Sequence, residues 1–275
     1  MSGTQILFIT VAVLLLSIFS YHAYIAYRRK KIMSLPLNPE WAKILNRNLS
    51  IYKVLPPDIK EQLHNLMKVF IAEKNFEGCG GIEMNEEIKV TVSAQACMLL
   101  LNRRPSFYPG LSSIIIYPSS FFAKDVEYVS PDHYIKSITP RIGESWKSGM
   151  VILAWDHVKN GAMDMDDGHN VVFHEFAHQL DEEDEKKADG VPVLRRPSSY
   201  LTWARVFLKE FRKLKKEIFL NKETVIDDYG SKSPAEFFAV VTEAFFEKPV
   251  QLKTKHPALY NILRDYYNLD PAVYK

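Results

Sequence analysis

The sequence predicts an α+β domain preceded by one transmembrane helix. Three observations carry that expectation: one unbroken apolar run at the N-terminus, β-branched runs confined to the middle of the chain, and amphipathic helical patterns on both sides of them. A wound parallel sheet would alternate strands and helices throughout, and this chain does not. Its 275 residues, 47% hydrophobic and 25% charged, are ordinary globular composition, enough for one large domain or two small ones. A formal charge of +2, with no recognition-module signature and no long basic stripe, argues against direct nucleic-acid binding. Two cysteines, Cys79 and Cys97, are too few for a disulfide framework and lack zinc-ribbon spacing. They are expected as small buried hydrophobes in a reducing compartment.

The apolar run, "ILFITVAVLLLSIFSYHAYIAY" from Ile6 to Tyr27, holds no acidic or basic side chain except His22 and is long enough to cross a bilayer. Residues 1 to 5 carry no Lys or Arg and no A-x-A-like site follows, which points to a retained anchor rather than a cleaved signal peptide. "RRKK", Arg28 to Lys31, then sets the orientation by the positive-inside rule: N-terminus out, the rest in the cytoplasm. Tyr21, Tyr24 and Tyr27 suit an interfacial aromatic belt. Residues 1–33 are therefore read as anchor and basic juxtamembrane segment at the inner membrane, and 34–275 as the soluble domain.

Pro36 and Pro39 mark a linker before a short helix around Trp41 to Leu45. "PPDIKEQLHNLMKVFIAEKNF" places Ile59, Leu63, Leu66, Met67, Phe70 and Ile71 at helical spacing, with His64 as a surface or boundary residue. "EIKVTVSAQACMLLLN" starts with strand-like alternation and passes into a buried helical run. "LSSIIIYP" and "GMVILAW" read as strands. "YLTWARVFLKEFRKLKKEIF", "SPAEFFAVVTEAFFE" and "HPALYNILRDYY" read as helices. No internal repeat interrupts this order. The acidic cluster Asp181 to Glu185 is expected as solvated loop.

The chemistry lies in "NVVFHEFAHQLD", an apolar helix for which Asp166, Asp167 and Asn170 offer N-terminal capping. His174, Glu175 and His178 form H-E-x-x-H. Positions i and i+4 share one helix face, so both imidazoles can reach one ion while Glu175 stands beside its open position. That spacing suits zinc, which at catalytic sites takes three protein ligands. Two histidines and a glutamate in a buried helix would be costly without a compensating ion. Glu236 and Glu243, seven residues apart, both offer a third ligand. Glu236 also reads as the N3 residue of a capping box opened by Ser233 and Pro234, and periodicity does not decide between them. Asp181 either orients an imidazole or is a helix-end surface acid.

"HEFAHQLDEEDEKKADGVP" and "SPAEFFAVVTEAFFEKP", with "GGIEMNEEIKVTVSAQACMLLL", "SSIIIYP", "GMVILAW" and "HPALYNILRDYYNLDP", resemble the Mlc titration factor A (MtfA) family of zinc peptidases from about Trp41 to Tyr274. The resemblance implies a gluzincin-type fold similar to the catalytic domain of anthrax lethal factor. It makes His174, His178 and Glu236 the ligands of one Zn2+, Glu175 the general base, Glu243 a carboxylate behind the ligands, and Tyr229 the group that steadies the transition state. The implied activity is zinc-dependent hydrolysis of peptide or protein substrates, aminopeptidase-like in preference. The alternative is a regulatory protein that captures an Mlc-type transcription regulator and carries a weak or vestigial zinc site. "LDEEDEKKADG" is more acidic than the family pattern, which would either disfavour acidic substrates or admit basic ones. "GMVILAW" is the candidate edge strand along which substrate would lie.

Overall fold

The computed structural model describes residues 2–103, 106–130, 133–146, 149–184 and 188–274. The chain forms two compact units, residues 1–37 and 38–275.

The first unit is helix α1, Gly3–Met33, opened by a reciprocal capping box between Ser2 and Gln5 and closed with Lys30 and Lys31 in its last turn. None of its residues is buried, and it is long and apolar enough to cross a membrane. The hydroxyls of Thr10 and Ser17 donate back to the carbonyls of Ile6 and Val13, so these polar groups are satisfied within the helix.

The second unit begins with α2, Pro39–Asn48, and α3, Pro57–Glu73. Strand β1, Asn75–Gly78, and helix α4, Glu86–Met98, follow. The expected strand-like start of α4 is corrected: Asn85 caps the Ile88 N–H, and Ile88 and every residue from Val90 to Met98 is buried. Ile88, Val90 and Val92 alternate in sequence only because the helix is enclosed on nearly all sides. The remaining strands are β2, Ser113–Tyr117; β3, Phe121–Ser130; β4, His133–Arg141; β5, Gly143–Trp146; and β6, Met150–Ala154. One sheet has the order β1-β2-β6-β5, and β3 and β4 form a separate antiparallel pair. β6 runs parallel to β2 and antiparallel to β5, so "GMVILAW" is interior and the edges of the sheet are β1 and β5. The expectation of β6 as an edge strand is therefore corrected.

Helices α5, Trp155–Met163, α6, Val171–Asp181, and α7, Ser199–Phe219, come next, followed by α8, Pro234–Glu247, α9, Pro249–Lys255, and α10, Pro257–Tyr267. The mixed, helix-rich α+β expectation agrees with this architecture. α8 is the central helix: every residue from Phe237 to Glu247 is buried. Its Phe237, Phe238, Phe245 and Phe246 pack in an aromatic cluster with Trp203 and Phe207 of α7 and Tyr260, Tyr266 and Tyr267 of α10. Such enclosed aromatic packing fixes the helix axis on which two acidic side chains depend. Cys97 is buried as expected, whereas Cys79 is only partly covered.

The acidic run is corrected in part: residues 182–184 form a turn with Asp184 exposed, as expected, but its start is not solvated. Asp181 is buried inside the end of α6, and Glu183 is partly buried with a hydrogen bond from Ser106. Burial pushes the Glu183 carboxyl up against the pull of Ser106 and Arg103. Glu185 lies outside the described residues.

Candidate metal centre

α6 starts where Asn170 turns the chain. Its side chain accepts the Phe173 N–H at 3.0 Å and donates to Gln95 and to the Gly161 carbonyl. Of the expected caps it is Asn170 that caps α6, while Asp167 accepts the His169 N–H instead. From that start, one helical turn separates His174 from His178, and their ring centroids lie 5.0 Å apart.

α8 brings the third donor. Ser233 caps the Glu236 N–H at 3.1 Å, which is half of a capping box. The Glu236 carboxylate turns instead to the histidines, with Oε2 3.0 Å from His174 Nε2 and 3.5 Å from His178 Nε2. One ligand atom from each of His174, His178 and Glu236 falls within 4.8 Å of the others. Glu243 approaches the same imidazole from behind, 2.8 Å from His174 Nδ1. The two rival carboxylates thus occupy opposite nitrogens of one ring.

The electrostatics follow from enclosure. Burial opposes ionisation of Glu236, yet hydrogen bonds from His174 and His178 hold it far below the ordinary carboxylate range. Burial also disfavours a charged His174, but Glu243 and Glu236 outweigh it and raise its pKa well above the usual imidazole value. Burial pushes the Glu175 carboxyl up, against the pull of both histidines. Two imidazoles and a carboxylate converging in a partly buried place are a donor set that fits a zinc ion, with Glu243 positioned to fix one ring from outside.

A cleft of about 850 Å³ is lined by His174, Glu175, Glu236 and Glu243. Tyr229 stands on its wall in the 3-10 turn Asp228–Ser231, its N–H capped by Asp227 at 2.7 Å and its ring centroid 5.8 Å from that of His174. Asp181 does neither thing expected of it: it is buried, and its Oδ2 accepts the Gly190 N–H at 2.8 Å. Burial pushes its carboxyl to about 6. His64 is bonded to Tyr52 away from the cleft.

Sequence reasoning missed two contributors. Gly143, the first residue of β5, lies so close to α6 that a Cβ would sit 2.5 Å from both Glu175 Oε1 and Val171 Cγ2. No local pattern marks that glycine. Lys232, whose Nζ is 3.7 Å from the Tyr229 ring centroid, places the cleft's lysine on the face of that ring.

The family model for glucose-regulated metallo-peptidase M90 matches residues 24–268. An uncharacterized protein of Synechocystis sp. is 40% identical over 259 residues, with 93% of each chain covered. Mlc titration factor A of Escherichia fergusonii is 27% identical over 86% of this chain and 88% of its own. Mlc titration factor A of Klebsiella pneumoniae is 28% identical over 79% and 82% respectively. Metallopeptidases need a metal, typically zinc, and the His174, His178 and Glu236 cluster is where one fits. With a matching model over most of its length and relatives aligned nearly end to end, the chain belongs to the glucose-regulated metallo-peptidase M90 family.

Proposed function

We propose that this chain is a zinc-dependent peptidase of the gluzincin type, held by α1 in the cytoplasmic membrane with its N-terminus outside and the catalytic domain in the cytoplasm. The observation that carries the proposal is the convergence of His174, His178 and Glu236 on one point, with Glu243 behind His174 and Glu175 at the cleft. His174, His178 and Glu236 would hold the zinc ion. When bound, zinc polarises a substrate carbonyl and acidifies water.

The chain's own residues do the rest. Glu175, buried beside the two histidines, takes a proton from the attacking water and returns it to the leaving amine. Tyr229 donates its hydroxyl to the oxygen that gains charge, a contribution of about 3 kcal/mol for a well-placed donor. Glu243 holds the His174 ring in orientation. Substrate extends along β5, the edge strand whose Gly143 lines the cleft next to Glu175. Aminopeptidase-like cleavage is the expected preference, by resemblance.

A second reading draws on the relatives' name, Mlc titration factor A. In it the domain captures an Mlc-type transcription regulator, and the zinc site is weak or vestigial. Zinc analysis and hydrolysis of mixed peptides, wild type beside Glu175→Gln, separate the two. Stoichiometric zinc in both with cleavage only in the wild type supports the peptidase. Zinc in both with cleavage in neither favours capture.

A further inference from the structure

The near-neutral total charge conceals an uneven distribution. Residues 201–222, covering most of α7 and its exit, hold seven Lys or Arg and two Glu, a net of +5 against +2 for the whole chain. Packing sorts these charges by side. Trp203, Phe207, Glu210 and Leu214 form the buried face of α7. Glu210 is spent there on His256, at 2.7 Å, and Lys213 turns towards Glu210 and Glu217 at 3.9 and 4.0 Å. No acidic residue of α7 is exposed.

The opposite face is different. Leu201, Arg205, Leu208, Arg212, Lys215 and Phe219 follow at three- and four-residue spacing, and all are exposed. Lys209, Lys216 and Lys222 flank them. Phe219 is 85% exposed and Leu201 79%. A solvated helix face ordinarily mixes both signs and pairs them at i,i+4. Here Arg205, Lys209, Arg212, Lys216 and Lys222 make no ion pair among the described residues. Unneutralised cations repel, and large apolar side chains among them stay wetted. Only an environment that is anionic at its surface and apolar just beneath relieves both costs. A lipid headgroup layer is such an environment: cations snorkel to phosphates, and Phe and Leu enter the acyl boundary. A nucleic acid would answer the cations and leave Phe219 and Leu220 in water.

We propose that the exposed face of α7 docks this domain on an anionic bilayer leaflet, the one from which α1 emerges. The inference rests on the reading of α1 as a membrane anchor. Only residues 34–38 separate α1 from α2, so an anchored domain stays at high local concentration over the surface and modest attraction per cation suffices.

The test uses the full chain reconstituted into phosphatidylcholine vesicles, with and without phosphatidylglycerol. Co-flotation with the neutral vesicles checks the anchor by itself. Amine acetylation by a membrane-impermeant reagent, read by mass spectrometry, then reports the docking. Lys209, Lys215, Lys216 and Lys222 are expected to react several-fold more slowly on anionic than on neutral vesicles, with Lys159 on α5 unchanged. High salt should erase the difference. The Arg212→Glu/Lys216→Glu double variant should remove the protection of Lys209 and Lys222 while keeping the wild-type Tm. Equal reactivity on both vesicles, with flotation intact, overturns the docking and leaves the anchor. Lost flotation on neutral vesicles, with protection kept on anionic ones, overturns the anchor and supports the docking. Protection on neutral vesicles that appears on adding duplex DNA assigns the face to nucleic acid and overturns the proposal.

Discussion

Glu243 Oε1 lies 2.8 Å from His174 Nδ1 while its Oε2 accepts the Asn170 N–H at 2.6 Å, so one carboxylate fixes both the ring and the start of the helix that carries it. Replacing Glu243 by Ala should lower zinc affinity by about 10- to 100-fold, measured by competition with a chromogenic chelator. It also leaves the buried Asn170 N–H without its acceptor, which should cost about 1–3 kcal/mol in denaturant unfolding. Unchanged zinc affinity would remove Glu243 from the site.

Tyr229→Phe deletes one hydroxyl and little else. If that hydroxyl serves the transition state, kcat should fall about 100-fold, with KM and zinc content nearly unchanged. A rise in KM at constant kcat would make Tyr229 a substrate-binding group instead.

Gly143→Ala introduces a methyl where only 2.5 Å separates the ideal Cβ position from Glu175 Oε1. Either β5 must shift, or Glu175 and Val171 must both give way, at about 1–3 kcal/mol. Activity should fall with zinc content retained, and a wild-type rate would show that the site tolerates the shift.

Glu247 is buried, with the carboxyls of Asp167 and Glu243 close to its own. Burial pushes its pKa from 4.5 to about 9. The folded state therefore binds more protons than the unfolded one between those values, and stability should fall as pH rises across that window. Glu247→Gln removes this titration. Its Tm should match the wild type near pH 4 and exceed it by several degrees at pH 9; parallel curves in a pH series would contradict the assignment.

Elements with an internal signature were readable in the sequence. The period of α3, the β-branched run of β2 and the Ser-Pro start of α8 each state a local preference that packing reinforces. The histidines of α6 were readable for the same reason, because their spacing is itself the geometry. What depends on a second segment was not. Glu236 and Glu243 looked like competitors because the sequence does not say that His174 stands between them. Asp181 looked like solvated acid because its partner, Gly190, comes from the loop after it. Asn85 and its helix show the same limit, since alternation predicts a strand only where one face is wet.

Gly190 carries a consequence for how the domain yields. Its N–H is held by Asp181 at the end of α6, its carbonyl accepts the Trp203 indole N–H at 2.9 Å, and its φ of +79° admits few side chains. A single residue therefore clasps the tail of the histidine helix to the head of α7. Those two ends should fray together as one cooperative opening rather than separately, and slow amide exchange at Gly190 would time it.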